Sequence, residues 1–501
     1  MINNTINPPA EDQAIDFYVS IRDINERGQG VGTVIKSPIS DGEDPQGTDI
    51  LGKVAFVDGA LPGELALARL REEKSHYLVL DQVQVLEASH DRQASDCPYF
   101  PDCGSCQLRH MTYEAELAFK EKRVKDHLSR SGPLDADSPA FKTILGMDHP
   151  SHYRGKSIFP IQDNKEGPEP PYLIGQYRRG SHELVDLESC LIQSQIALAL
   201  VNQVRQLLRE DPVILYDEVT HQGCLSHLVV RTAFSSRQIM LIFVVHDDSL
   251  DERIQDWLPS LHEIADQAGV TLASVWLNDR EDRGNRILST RYRHIEGAPN
   301  IEESINGVNY KISPDSFFQV NPVQAALLFQ EVIRAADLQP GDRVLDLYSG
   351  VGAISLQLAQ AAKDLQPPVE ITGVDNVEQA IMDAQLNADI NDLTNLTFIK
   401  ADANAWLADF EDNPDNPPFD LMVVDPPRKG LGPEGLEVIL NSQTPRIIYV
   451  SCNPATLARD LSRLSEVYQV ESVQPVDMFP RTTHVETVVL MSRVEIGRAH
   501  V

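Results

Sequence analysis

Three things are scarce in this chain, and each scarcity closes off a class. No apolar run reaches the roughly 18 residues of a membrane-crossing helix, and the polar start Met1-Ile2-Asn3-Asn4-Thr5 has no secretory-leader pattern. A cytoplasmic location with no membrane partner is the expectation. Cysteine is limited to six residues in 501, far below the density of a disulfide scaffold. Basic charge is outnumbered, 43 Lys and Arg against 75 Asp and Glu, for a formal net charge of −32. Taken whole, that balance argues against nucleic acid. Much of the acid, however, lies in loop-like runs such as Asp41-Gly42-Glu43-Asp44, Asp163-Asn164-Lys165-Glu166 and Glu411-Asp412-Asn413-Pro414-Asp415. Local basic stretches survive among them: Lys120, Lys122, Arg123 and Lys125, then Arg154 and Lys156, then Arg178 and Arg179. Net charge therefore decides little here.

What is present is enough chain for two to four domains, with an ordinary apolar content of 42%. Residues 14–89 alternate apolar and polar, as in Phe17-Tyr18-Val19-Ser20-Ile21 and Gln82-Val83-Gln84-Val85-Leu86, with a turn at Asp58-Gly59-Ala60-Leu61-Pro62-Gly63-Glu64. Short strands at this spacing predict a small closed barrel of the OB-like kind, which binds single-stranded RNA about as often as it is merely structural. Residues 108–130 change period: Tyr113, Leu117, Val124 and Leu128 fall on one helical stripe. A mixed α and β region follows to about residue 310, with strand-like Leu228-Val229-Val230 and Met240-Leu241-Ile242-Phe243-Val244-Val245.

From residue 343 strands and helices alternate, which predicts an α/β domain of Rossmann-like, doubly wound type. Arg343-Val344-Leu345-Asp346-Leu347 reads as a buried strand running into Tyr348-Ser349-Gly350-Val351-Gly352 and a helix near Ala353. Gly350 and Gly352 let the backbone approach a ligand at that helix start. Asp375, 23 residues past Gly352, ends the next strand where a ribose diol would lie. Asp402 follows a third strand, at the position of an adenine-edge contact, and Asp425-Pro426-Pro427-Arg428 a fourth. A third glycine is lacking, which disfavours a nicotinamide dinucleotide; the strand-end acids favour a methyl donor.

Cys452, in Tyr449-Val450-Ser451-Cys452-Asn453-Pro454-Ala455-Thr456, ends an apolar strand in that domain. Most methyl transfers need no protein nucleophile. Methylation at C5 of a pyrimidine does, because C5 becomes nucleophilic only after a thiolate adds at C6. On its own the cysteine reads more readily as a small buried residue than as a nucleophile. Cys97, Cys103, Cys106 and the distant Cys190 form a second pattern, suited either to zinc or to an iron–sulfur cluster; Cys224 is left with a packing role.

Asp425-Pro426-Pro427-Arg428-Lys429-Gly430, then sixteen residues, then Ile447 to Thr456, resembles the signature of the RNA uracil-5-methyltransferases, as does Phe479-Pro480-Arg481-Thr482-Thr483-His484-Val485-Glu486. The resemblance spans residues 14 to about 494. It implies three domains: a TRAM barrel at 14–89, a central α+β iron–sulfur domain at 90–310, whose helix 107–130 packs on the catalytic domain, and a class I S-adenosylmethionine-dependent methyltransferase domain at 311–494. Residues 495–501 read as a non-native tail. By position, Cys97, Cys103, Cys106 and Cys190 match the [4Fe–4S] ligands of the 23S ribosomal RNA branch, which makes ribosomal RNA the expected partner of a monomeric enzyme, with transfer RNA as the alternative. Gln319 (in Phe317-Phe318-Gln319-Val320-Asn321), Tyr348, Asp375 and Asp402 match cofactor contacts, and Asp425 lies near the target base. Cys452 matches the nucleophile and Glu486 the general base, with His484 in an orienting role. A lowered thiol pKa at Cys452 is expected to help addition. Ser349, Ala353 and Asp375 depart from the commoner residues at their positions. A non-catalytic RNA-binding relative would be expected to lack Cys452 or Glu486, and both are present.

Overall fold

The computed structural model describes residues 15–36, 50–165, 167, 171–280 and 286–494. The acidic run 41–44, Glu166 and the 495–501 tail lie outside them. The chain divides into two compact units, residues 1–116 with 481–483, and residues 117–480 with 484–501.

In the first unit, β1 (Asp16–Ile24), β2 (Gln29–Lys36), β3 (Val54–Asp58), β4 (Leu65–Glu73) and β5 (Tyr77–Glu87) close a barrel in the order β1-β2-β3-β5-β4. Period-two alternation puts Phe17, Val19 and Ile21 inside with Ala55, Val57, Leu78 and Leu80. Gly32 is required by close approach: a Cβ there would sit 2.5 Å from the Ser20 carbonyl oxygen. The N-terminal barrel read from the alternation is present.

The helix α1 (Tyr113–Arg130) follows. Its Val124 and Leu128 are fully buried in one core with Leu345, Tyr449 and Leu461. The second unit then builds a seven-stranded sheet from β6 (Lys156–Asp163), β7 (Tyr172–Tyr177), β8 (Leu184–Asp186), β9 (Leu225–Ala233), β10 (Gln238–Val245), β11 (Thr271–Asp279) and β12 (Tyr292–Gly297), ordered β12-β11-β10-β9-β6-β7-β8. The helices α2 (Gln195–Glu210) and α3 (Asp251–Gln267) pack on one face through Val204, Leu208, Trp257 and Leu261. The other face packs through Val229, Ile242 and Val244 on the hairpin β13 (Ile301–Ile305) and β14 (Val308–Ile312) and on α4 (Pro322–Ala336). With both faces covered, β9 is buried along its whole length.

The C-terminal sheet contains β15 (Arg343–Leu347), β16 (Glu370–Asp375), β17 (Leu396–Lys400), β18 (Leu421–Val424), β19 (Arg446–Ser451), β20 (Tyr468–Val476) and β21 (Glu486–Arg493), interleaved with α5 (Ala353–Ala362), α6 (Glu378–Ile390), α7 (Ala403–Glu411), α8 (Gly432–Asn441) and α9 (Pro454–Leu464). The order is β17-β16-β15-β18-β19-β21-β20, parallel from β17 to β19 and antiparallel at β21 and β20. The expected doubly wound sheet is therefore present, with an antiparallel end that apolar periodicity does not encode. The order reverses between β15 and β18, and the crevice at such a reversal is where α/β sheets bind ligands. No helix among the described residues is long and apolar enough to cross a membrane.

Candidate active site

Four neighbouring strands deliver the central residues to one edge of the C-terminal sheet. Tyr348 follows β15, Asp425 follows β18, Cys452 follows β19, and Glu486 opens the antiparallel β21 beside it, where Thr487 pairs with Ser451. Adjacent strands lie roughly 4.8 Å apart, so residues at matching ends converge. Cys452 is partly exposed, while Glu486 is buried.

Burial pushes the Glu486 carboxyl up to about 8, with Asp425 adding to it. Asp425 is pushed up to about 7 by its own burial and then by Asp346. Asp346 also reaches about 7, mainly by burial, although Ser355 donates to it. At the thiol the expected direction is corrected. Burial, then Glu486 and Asp425, raise Cys452 to about 11, and Arg428 pulls the other way. The physical reason is burial of the sulfur, reinforced by the acids behind it, neither of which sequence spacing displays. His484 is held near 4 by burial and by the cations Arg428, Arg123, Lys120 and Arg154, so it is neutral at pH 7.

The turn after β15 has the strain of a ligand cradle. Tyr348 adopts φ 64°, Gly350 54° and Gly352 73°. A Cβ on Gly350 would meet nothing within 4 Å, whereas one on Gly352 would strike Phe398 at 2.7 Å. The first glycine faces open space and the second is packed. Asp375 accepts from Gly350 N at 3.0 Å and Val377 N at 2.8 Å, tying the turn to β16. Asp402 caps α7, accepting from Asn404 N and Ala405 N at 3.1 and 3.0 Å through one oxygen. The Tyr348 hydroxyl donates to Asn404 at 2.9 Å. Buried Asp346 Oδ1 and Ser349 Oγ have no partner among the described residues. Open backbone at Gly350, orphaned polar atoms beneath it and acids at two further strand ends fit an adenosyl methyl donor.

Several supports went unseen in the sequence. Asp460 accepts from the Tyr449 hydroxyl at 2.8 Å and from Leu431 N at 2.9 Å, fastening the loop that carries Arg428. Lys120, one of the local basic stretch, is buried, donating to Asp477 at 2.6 Å and to the Phe479 carbonyl at 3.1 Å. Asn321 donates to the Met478 carbonyl at 3.1 Å, and Gln324 to the Asp477 carbonyl at 3.0 Å. These bonds hold residues 477–479, just ahead of Glu486. Only the amphipathic neighbourhood of Lys120 hinted at its burial.

Of the four cysteines expected to act together, Cys97, Cys103 and Cys106 belong to the first unit and Cys190 to the second. Among the described residues no three or more His, Cys, Asp or Glu side chains are grouped to hold a metal. Cys103 is buried with its thiol raised, and Cys106 engages Arg109.

Fold and crevice together define a class I, S-adenosylmethionine-dependent methyltransferase. The family model for tRNA (uracil-5-)-methyltransferase matches residues 112–494. An RNA methyltransferase of Halalkalibacterium halodurans is 36% identical over 94% of this chain and 96% of its own length. One of Clostridium tetani is 35% identical over 97% of each. The crystal structure of Pyrococcus abyssi tRNA (uracil-54, C5)-methyltransferase with S-adenosyl-L-homocysteine superposes with a TM-score of 0.69, covering 95% of this chain and all of that one at 23% identity. The chain belongs to the RNA uracil-5-methyltransferase family.

Proposed function

We propose that this enzyme methylates C5 of a uridine in 23S ribosomal RNA, with Cys452 as nucleophile and Glu486 as the base that ends the reaction. The observation that carries the roles is the placement of a partly exposed thiol on β19 beside a buried carboxyl on β21. The target base must leave its stack to reach both groups. The partly exposed Cys452 thiol gives its proton to solvent, its sulfur bonds to C6, and the C5=C6 electron pair moves toward the O4 carbonyl as an enolate. Bound S-adenosylmethionine supplies the electrophilic methyl group that C5 then takes. Glu486 removes the C5 proton, the C–S bond breaks, and the double bond returns. Asp425 orients the uracil edge. Gln319, Tyr348, Gly350, Gly352, Asp375 and Asp402 hold the donor.

The choice of ribosomal RNA, a monomer and the cytoplasm rests on the family resemblance, together with the barrel that lies outside the matched 112–494. Mass spectrometry of ribosomal and transfer RNA from a strain lacking the gene decides the substrate: 5-methyluridine missing only from transfer RNA would refute the first choice. The cluster on Cys97, Cys103, Cys106 and Cys190 likewise stands on resemblance alone. Iron and sulfide should accompany the protein purified without oxygen; stoichiometric zinc, or no metal at all, would remove it. For the roles themselves, Glu486→Gln should accumulate a denaturant-stable protein–RNA adduct carrying one new methyl group. Cys452→Ala should bind RNA and donor yet form neither adduct nor product. A normal turnover rate in either variant would overturn the assignment.

A further inference from the structure

Lys156 opens β6 directly opposite Arg231 of β9. Like charges facing each other across an antiparallel pair are destabilising, and among the described residues no ion pair joins either cation to a carboxylate; Asp315 offsets both only in part, from a distance. Arg231 is 2% exposed, and its Nη2 donates to the Ser316 carbonyl while Nε has no partner. Both cations line a cleft with Gly155, Thr232, Phe318 and Gln319. The backbone fixes that neighbourhood, since Gly155 N donates to the Val320 carbonyl at 2.6 Å and Thr232 N to the Gly155 carbonyl at 2.8 Å. The strand bearing Lys156 is thus pinned to the segment bearing Gln319.

The nearby carboxylates do not neutralise the pair. Glu303 lines the cleft but accepts from Phe234 N at 2.7 Å and Ser235 N at 2.9 Å. Asp383 accepts from Ser313 at 2.6 Å and Gln379 at 3.0 Å. Asp315 is exposed and acts on both cations only through space, and Tyr292 faces Arg231 from β12. Two desolvated positive charges beside the donor segment are a cost that folding alone does not explain. An anion placed between them would remove it.

We infer that Lys156 and Arg231 form a seat for an oxyanion beside Gln319, filled by a phosphodiester of the bound RNA or by the carboxylate of the methyl donor. The inference rests on reading Gln319 as a donor contact and RNA as the substrate. Burial and Arg231 bring Lys156 to about 7 when the seat is empty, so its charge, and with it the affinity, falls as pH rises through neutrality.

The test uses the full chain, with S-adenosyl-L-homocysteine and a uridine-containing single-stranded RNA as separate probes. Lys156→Met should weaken one probe roughly 10- to 100-fold, the scale of a hydrogen bond to a charged group. If the RNA is the weakened probe, the slope of log affinity against log salt should shrink by about 0.7, one phosphate's worth for a single strand. If S-adenosyl-L-homocysteine is weakened and the RNA is not, the seat holds the carboxylate. Wild-type affinity for that probe should drop between pH 6 and 8.5, and Lys156→Arg should abolish the drop. Unchanged binding of both probes by Lys156→Met, or the same pH drop in Lys156→Arg, overturns the inference. Should Lys156→Met not fold, the comparison of wild type with Lys156→Arg decides alone. Adduct formation by Glu486→Gln is read separately, so failure of the Cys452 chemistry leaves this binding test legible.

Discussion

At the residue scale the site holds an apparent contradiction: the proposed nucleophile, Cys452, has its thiol pushed up to about 11 beside the proposed base, Glu486, pushed up to about 8. The resting enzyme at neutral pH therefore carries a protonated thiol. Attack at C6 needs that proton gone, so kcat/KM, which reports steps up to the irreversible methyl transfer, should follow thiol ionisation. Measured in Lys156→Arg, where the lysine's own titration is removed, the expected profile climbs with a log–log slope of about 1 from pH 6 to 9, without a plateau. A rate already level below pH 7 would mean that bound RNA or some group besides Arg428 ionises the sulfur beforehand. Gly430, φ 81°, is a different kind of constraint, since a Cβ there would run into Asp460 and Arg459.

At the element scale, what positions Glu486 is the segment ahead of β21, and α1 holds it from the side. Lys120 and Asp477 are both fully buried, and their ion pair spans most of the chain. Removing one partner of such a pair strands the other charge and costs about 3–5 kcal/mol, whereas replacing both by apolar groups can be nearly neutral. Lys120→Met should therefore lower the urea midpoint strongly, and adding Asp477→Leu should restore most of it. RNA affinity of the folded fraction should stay the same. A fully stable Lys120→Met would show that the pair is solvated. The contrast with Lys122 and Lys125, whose i,i+4 partners Asp126 and Glu121 lie on a more exposed face, is a matter of which side of α1 the core covers.

At the scale of the whole molecule, a protein with net charge −32 raises several acids of its C-terminal sheet, Asp346 and Asp425 to about 7 and Glu486 to about 8. Each is therefore divided between protonated and ionised forms near neutral pH, the ionised form of Glu486 being the one that can act as a base. A carboxyl raised on folding contributes stability that is complete below its unfolded pKa and lost as pH rises through its folded pKa. For Glu486 that window runs from about 4.5 to about 8. Lys156 and the buried His227, His246 and His484 shift downward and carry the opposite sign, so the wild-type curve mixes both effects. The difference between Glu486→Gln and wild type isolates one group. The variant should gain relative stability from pH 5 to 8 by at most about 1.4 kcal/mol per pH unit. Thermal unfolding across that range is the measurement, and a difference independent of pH would show that Glu486 is ionised in the fold.

The sequence by itself determined which elements exist and which chemistry is available. Alternation wrote the barrel, apolar strands followed by glycines or acids wrote the parallel sheet, and Cys452, Asp425 and Glu486 were legible because their motifs are local runs of a few residues. Those signals survive without a fold because backbone geometry and side-chain type are properties of short segments. The tertiary structure decided everything that depends on burial and on partners far along the chain. It turned Lys120 inward, raised the Cys452 thiol with acids from other strands, and made β21 antiparallel so that Glu486 starts beside the end of β19. It also set Lys156 against Arg231, 75 positions away. Desolvation and like-charge proximity act through space, and no spacing along the chain records them.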